Sequence, residues 1–227
     1  MKIGILQTGH APDELLPTSG DYDRLFQRLL DGNGFEFTTY NVVDMEFPAS
    51  ITDCDGWLIT GSKHGAYEDH PFIPPLEAFI RDIYAADIPL VGICFGHQII
   101  AQALGGKVEK FTGGWAVGHQ TYDWNGERIA LNAWHQDQVV AVPQDAQVIA
   151  SNDFCAAAAL VYGKRAFTTQ PHPEFGTDFI AGLAQHRGPG VVPDTQLAET
   201  QANLEKPIDN ARIAAQIAKF FKERTVA

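Results

Sequence analysis

The segment Gly92-Ile93-Cys94-Phe95-Gly96 places a glycine two residues to either side of a cysteine, after a short apolar run and before a helical pattern. A nucleophile mounted on a sharp strand-to-helix turn must hold a strained backbone, and bulk two residues away on either side would block that turn. The helix that opens just after Cys94 aims free N–H groups and a positive dipole end at sulfur, which favours the nucleophilic thiolate. The Phe95 N–H is placed to donate to an oxyanion that forms beside the sulfur. The spacing therefore predicts a reactive thiol, although a structural cysteine between glycines has the same local sequence. Cys54 and Cys155 lack such flanks and are read as packing residues.

A thiolate needs a proton carrier for its leaving group, and an oriented imidazole is the usual one. Among eight histidines, His172 in Thr169-Gln170-Pro171-His172-Pro173-Glu174 stands out. Pro173 biases His172 toward extended backbone, and residues two apart on an extended chain share a side. Glu174 can then reach the imidazole, fix its tautomer and stabilise its cation. His135 is read as part of a pocket wall or a supporting group, since Glu174 already serves His172, and His97 as a group that lines the helix after Cys94 or packs. His64 and His70, with Glu68 and Asp69 between them, superficially suggest a metal. Their spacing fits no i, i+4 helical pair and no known zinc pattern, so a solvated loop and no metal site are expected. Gly113-Gly114-Trp115 is either a turn that exposes an indole to substrate or a plain hairpin with a core Trp, and 65–69 is expected on a pocket rim.

The elements that must carry these groups follow from periodicity. Apolar runs at 2–6, 35–43, 56–60 and 88–93 read as strands, separated by helical patterns at 22–30, 75–86 and 96–104. Strands alternating with helices predict an α/β fold with a mostly parallel central sheet and helices on both faces. Between 108 and 134 the pattern turns to short alternation with Gly-rich turns, which predicts an added antiparallel edge. Further strands are expected at 148–151, 160–162 and 166–169, a helix at 177–185, a long loop or partly helical excursion at 186–207, and a last helix N-capped by Asp209. His172 follows one predicted strand and Cys94 another, so both can reach the C-terminal edge of the sheet, where open α/β folds bind ligands.

The chain has 227 residues, 45% hydrophobic and 19% charged, a length that suits one domain over 1–227. A net charge of −12 opposes binding to phosphate backbones and anionic lipid, so neither a nucleic acid nor a membrane is expected as partner. Three cysteines make no disulfide framework and argue for reduced thiols in a cytoplasmic setting. Nothing approaches an apolar membrane span, and no Walker-type phosphate loop is present.

Two segments taken together, Gly92-Ile93-Cys94-Phe95-Gly96-His97-Gln98 and Pro171-His172-Pro173-Glu174, resemble the class I glutamine amidotransferases, a Cys-His-Glu triad family with a flavodoxin-like domain. The resemblance implies attack of Cys94 on the γ-carbonyl of a glutamyl group, a thioester intermediate, His172 as acid/base and Glu174 as its orienter, with no cofactor. It implies an oxyanion hole from the Phe95 and Gly61 backbone, and a glutamyl pocket drawn from Gln98, Ser62, His135, Gln136 and Asp137. Gln136 stands where many members carry Gly, and Pro171 where an aromatic is more usual. The motifs are closer to stand-alone γ-glutamyl peptidases and GMP-synthetase-like domains, and about 50 residues after Phe175 leave no room for a synthetase. The expected activity is hydrolysis of a γ-glutamyl amide or peptide bond. The alternatives are a glutaminase subunit that passes ammonia to a separate synthetase partner, and a non-catalytic small-molecule binder on the same fold.

Overall fold

The computed structural model describes residues 1–226. In chain order the elements are β1 (Lys2–Leu6), α1 (Leu16–Ser19), α2 (Tyr22–Leu29), β2 (Glu36–Tyr40), β3 (Gly56–Ile59), α3 (Ile73–Ala85), β4 (Leu90–Ile93), α4 (Phe95–Ala103), β5 (Lys107–Lys110), β6 (Ala116–Trp124), β7 (Glu127–His135), β8 (Asp137–Ala141), β9 (Gln147–Ser151), β10 (Ala159–Tyr162), β11 (Ala166–Thr169), α5 (Thr177–His186), α6 (Asp194–Ala202) and α7 (Asn210–Glu223). Nine strands form one sheet in the order β2-β1-β3-β4-β11-β10-β9-β6-β7, and β5 pairs with β8 in a separate two-stranded sheet. The first five strands of that order run parallel. The remaining four are antiparallel and form the edge expected from the alternating pattern.

Strands β3, β4 and β11 are buried at every residue, as central parallel strands covered on both faces must be. Strand alternation sends Ile3, Ile5, Leu58 and Val91 to one face, beneath Phe26 of α2 and Ile213, Ile217 and Phe220 of α7. Leu6, Trp57, Ile59 and Leu90 go to the other, beneath Leu76 and Ile80 of α3 and Ile99 and Ile100 of α4. Among the described residues no helix is long and apolar enough to cross a membrane.

Several expected boundaries move. The strand expected over 35–43 ends at Tyr40, and Val42–Asp44 forms a 3₁₀ turn instead. Helix α3 starts earlier than expected because Pro74 and Pro75 fall in its first turn, where a missing N–H costs no hydrogen bond. The excursion at 186–207 contains α6, whose Thr200 is buried against β6 and whose Gln196 Nε2 donates to Trp115 O at 3.0 Å. Asp209 is not a side-chain cap of α7. Its carboxylate accepts the Ala130 N–H at 2.7 Å and its own N–H returns to Ala130 O at 2.7 Å, so it fastens the start of α7 to β7.

Three adjacent parallel strands position the predicted chemistry. Ile59 pairs with Gly92, and Ile93 with Thr169, so β3, β4 and β11 end almost level. The residues just past those ends are Thr60-Gly61, Cys94 and the 170–174 segment. One edge of the sheet thus receives all three.

Candidate active site

Cys94 leaves β4 at φ 54° and ψ −102°, a conformation that an L-residue holds only under constraint, at a cost of about 1–3 kcal/mol. Local hydrogen bonds supply the constraint. Cys94 N–H donates to Thr169 O at 2.9 Å, Gly96 N–H to Thr60 O at 3.1 Å, and Gln98 N–H to Cys94 O at 3.0 Å. The flanking glycines are required by space: a Cβ on Gly92 would lie 2.5 Å from Gly96 O, and one on Gly96 would collide with the Ile59 carbonyl. The Phe95 amide, in the first turn of α4, has no hydrogen-bond partner among the described residues, and neither has the Gly61 amide.

The His172 imidazole is fixed from three sides. Its Nδ1 meets Glu174 Oε1 at 2.6 Å, with both side chains almost wholly buried. Phe175 lies parallel to the ring, with centroids 3.9 Å apart and planes 5° apart. On the third side the Cys94 side chain lies near enough to act on the imidazole electrostatically. Burial alone would push the His172 pKa down, but the charge of Glu174, then that of Cys94, holds it above the ordinary histidine value. A Cβ on Gly61 would come within 3.0 Å of His172 Cε1, so glycine there leaves the ring its space.

The contact between His172 and Glu174 is as expected from the sequence, but its geometry is not. Phe175 N–H donates to His172 O at 3.3 Å, so 172–175 is a turn with Pro173 at its second position rather than extended chain. Asn132, on β7, clamps both ends of that turn. Its carbonyl accepts His172 N–H at 2.8 Å and its Nδ2 donates to Phe175 O at 3.0 Å. Sequence reasoning missed Asn132 and Phe175. The available signal for Asn132 is a buried amide inside the otherwise apolar run Ile129-Ala130-Leu131-Asn132-Ala133.

A cavity of about 520 Å³ opens over Cys94 and His172. Gly61, expected at the oxyanion hole, and Ser62, Gln98, His135, Gln136 and Asp137, expected at a substrate pocket, line it. Gln98 Nε2 is engaged with Asp137 O at 2.9 Å and Gln170 Oε1 at 3.0 Å, so it also holds the pocket wall together. Ser62 Oγ donates to Thr8 O at 2.6 Å, and Gln136 Nε2 to Phe111 O at 3.2 Å. His135 is buried, with Nδ1 3.2 Å from Asp137 O, and burial pushes its pKa down to about 3, so it stays neutral at the wall. His97 packs against Thr168 Oγ1 at 2.8 Å, likewise lowered to about 3 by burial, and takes no place in the cavity. Cys54 and Cys155 are buried, and burial raises both thiols, as packing residues require.

The mouth is assembled from distant segments that carry no motif. Lys63 and Tyr67 come from the loop after β3, Lys110 from β5, and Arg187 and Val191 from the excursion after α5. Trp115 faces the cavity and packs on Trp134, with ring centroids 6.4 Å apart, which settles the Gly113-Gly114-Trp115 turn in favour of exposure to the pocket. The loop 62–70 also brings His64, Glu68 and His70 together despite their unhelical spacing.

The chain matches the family model of glutamine amidotransferase class-I over residues 22–178. It is 31% identical to a glutamine amidotransferase-like protein of Schizosaccharomyces pombe over 97% of this chain and 98% of that one. It is 30% identical to γ-glutamyl peptidase 4 of Arabidopsis thaliana, over 91% and 89% of the two chains. It is 31% identical to a glutamine-hydrolysing GMP synthase subunit of Halobacterium salinarum, over 68% and 84%. A crystal structure of a glutamine amidotransferase from Methylobacillus flagellatus superposes with a TM-score of 0.73 at 22% identity, covering 99% of this chain and 92% of the other. The chain belongs to the class I glutamine amidotransferase family.

Proposed function

We propose that this class I glutamine amidotransferase hydrolyses a γ-glutamyl amide or peptide bond through a thioester on Cys94. The observation that carries the proposal is the buried pair of Glu174 and His172, 2.6 Å apart, with His172 and Cys94 together at the floor of one cavity. His172 accepts the thiol proton, and its cation is stabilised by Glu174 at 2.6 Å and by the π-face of Phe175. Sulfur attacks the γ-carbonyl carbon, and the oxyanion is met by the Phe95 and Gly61 N–H groups, both free to donate. Collapse breaks the C–N bond, and the imidazolium gives its proton to the departing amine. A water molecule, deprotonated by His172, then attacks the thioester, releases glutamate and returns the proton to sulfur. Gln98, Ser62, His135, Gln136 and Asp137 form the wall against which the glutamyl group lies.

The test is glutamate release from a panel of γ-glutamyl amides and peptides, free glutamine included, by purified protein and by Cys94→Ala. Absence of glutamate from every substrate, or full activity in the variant, would overturn the proposal.

A second reading, a glutaminase subunit that delivers ammonia to a separate synthetase, draws support from the similarity to the GMP synthase subunit of Halobacterium salinarum. It requires negligible turnover alone and strong stimulation by the synthetase. High turnover by the isolated chain, unchanged on adding a synthetase, would dismiss it. The γ-glutamyl peptidase of Arabidopsis thaliana, similar over nearly the whole of both chains, favours the first reading.

A further inference from the structure

Outside the line of Cys94, His172 and Glu174, one cluster has the chemistry of a ligand set. The ligand atoms of His64, Glu68 and His70 all lie within 4.8 Å of one another. His70 Nε2 is 2.9 Å from Glu68 Oε2, and His64 Nδ1 is 3.9 Å from the same oxygen. A tetrahedral zinc with bonds near 2.1 Å holds its ligand atoms roughly 3.4 Å apart. Small side-chain rotations therefore suffice to enclose an ion here. We propose that His64, Glu68 and His70 form a binding site for a divalent transition-metal ion of the Zn²⁺ class at the mouth of the cavity.

Two imidazoles and one carboxylate are the donor set that borderline-soft divalent ions prefer, and three protein ligands leave a coordination position open to water. The donors are held in place before any ion arrives. The His64 and His70 rings lie 4.0 Å apart and both pack against Phe72, at 5.8 Å each. Glu68 Oε2 is oriented by the Gly65 N–H at 3.0 Å, and the His64 backbone N–H donates to Ser62 Oγ at 3.1 Å. On binding, the ion takes the place of the direct contact between His70 Nε2 and Glu68 Oε2. Lys63 and Arg187 oppose the added charge, and the single carboxylate offsets only part of it.

His64 and Glu68 also line the cavity, so the ion would sit beside the path to Cys94 rather than on a remote surface. That position makes the catalytic thiol and imidazole the rival ligands, and the experiment must separate the two sites. Metal-free full-length protein is titrated with Zn²⁺ by calorimetry, and with Co²⁺ while the visible absorption of the complex is recorded. The expected result is one equivalent bound, with affinity reduced at least tenfold in His70→Ala and in Glu68→Gln and unchanged in Cys94→Ser, and a Co²⁺ spectrum without the thiolate charge-transfer band. Absence of saturable binding overturns the proposal. So does binding that survives both loop substitutions, or that disappears in Cys94→Ser. Circular dichroism of each variant identifies any loss that comes from misfolding, and His64→Gln then serves as the replacement test of the same ligand set.

Discussion

The floor and the mouth of the cavity are built on opposite principles. At the floor, Cys94 is 5% exposed, His172 3% and Glu174 7%, and the imidazole is held by hydrogen bonds, a stacked ring and the Asn132 clamp. At the mouth, Tyr67 is 44% exposed and Val191 57%, and the charged groups Lys63, Lys110 and Arg187 come from segments far apart in the chain. A chain with a net charge of −12 gathers three cations there, beside two indoles. Groups that are buried and fully oriented set the rate of one reaction, because displacing them by even an ångström is costly. Groups that are exposed suit selection among substrates, since each contributes little and can be exchanged without disturbing the fold.

This contrast makes its strongest claim at the floor. Cys94→Ala is expected to lower kcat for glutamate release by about 10⁴-fold or more, leaving only background rates. The melting temperature should not fall, because alanine keeps the small side chain that the turn accepts. Residual turnover within tenfold of the parent would move the chemistry to another group.

Glu174→Gln keeps the shape but removes the charge that holds the imidazolium, and a loss of kcat on the order of 10²-fold is expected with KM nearly constant. A loss confined to KM would instead assign Glu174 to substrate binding.

A third prediction concerns the support beneath the floor. His97, on the sheet-facing side of α4 against Thr168, is buried with its pKa lowered to about 3, against 6.5 when unfolded. Between these values the unfolded chain takes up a proton that the folded chain refuses, so stability falls as pH drops from about 6.5 toward 3. The slope from this one residue is up to about 1.4 kcal/mol per pH unit. Urea midpoints measured between pH 4.5 and 7 should therefore fall less steeply in His97→Gln than in the parent. Parallel curves would sink the assignment.

The smallest effects belong to the mouth. Trp115→Ala is expected to change the ratio of kcat/KM between γ-glutamyl peptides and free glutamine by roughly tenfold, the scale of one lost apolar contact, with kcat on glutamine within a factor of two. An equal loss on every substrate would extend the rigid floor outward to include the indole.

Much of the floor was legible in the residues. The Gly92 and Gly96 flanks state a steric requirement that the structure meets at Gly96 O and Ile59 O, and the pairing of His172 with Glu174 follows from their separation of two. The form of that pairing was not legible, because Pro173 is compatible with an extended chain and with the second position of a turn. The choice was made by Asn132, 40 residues earlier, through hydrogen bonds to both ends of the turn. The excursion at 186–207 was expected to be a loop or partly helical, and the bounds of α6 within it were not legible because Asp194–Ala202 buries only Thr200 and so shows no apolar stripe. Asp209 reads as a helix cap, yet its carboxylate goes to Ala130, a strand partner that no local pattern names.

The sequence by itself determined the α/β architecture, the mostly parallel sheet with its antiparallel edge, and the glycine-flanked turn at Cys94 with the pairing of His172 and Glu174. Each of these has a local cause: the period of apolar residues, the glycine spacing, or a short motif. The rim at 65–69 was expected, but only the tertiary structure decided which side chains of the mouth segments meet, and that His64, Glu68 and His70 gather there. It decided, too, that Asn132 and Phe175 fix the imidazole. Those contacts depend on strand register and on loops folding back across the sheet edge, and neither is written in the residues that make them.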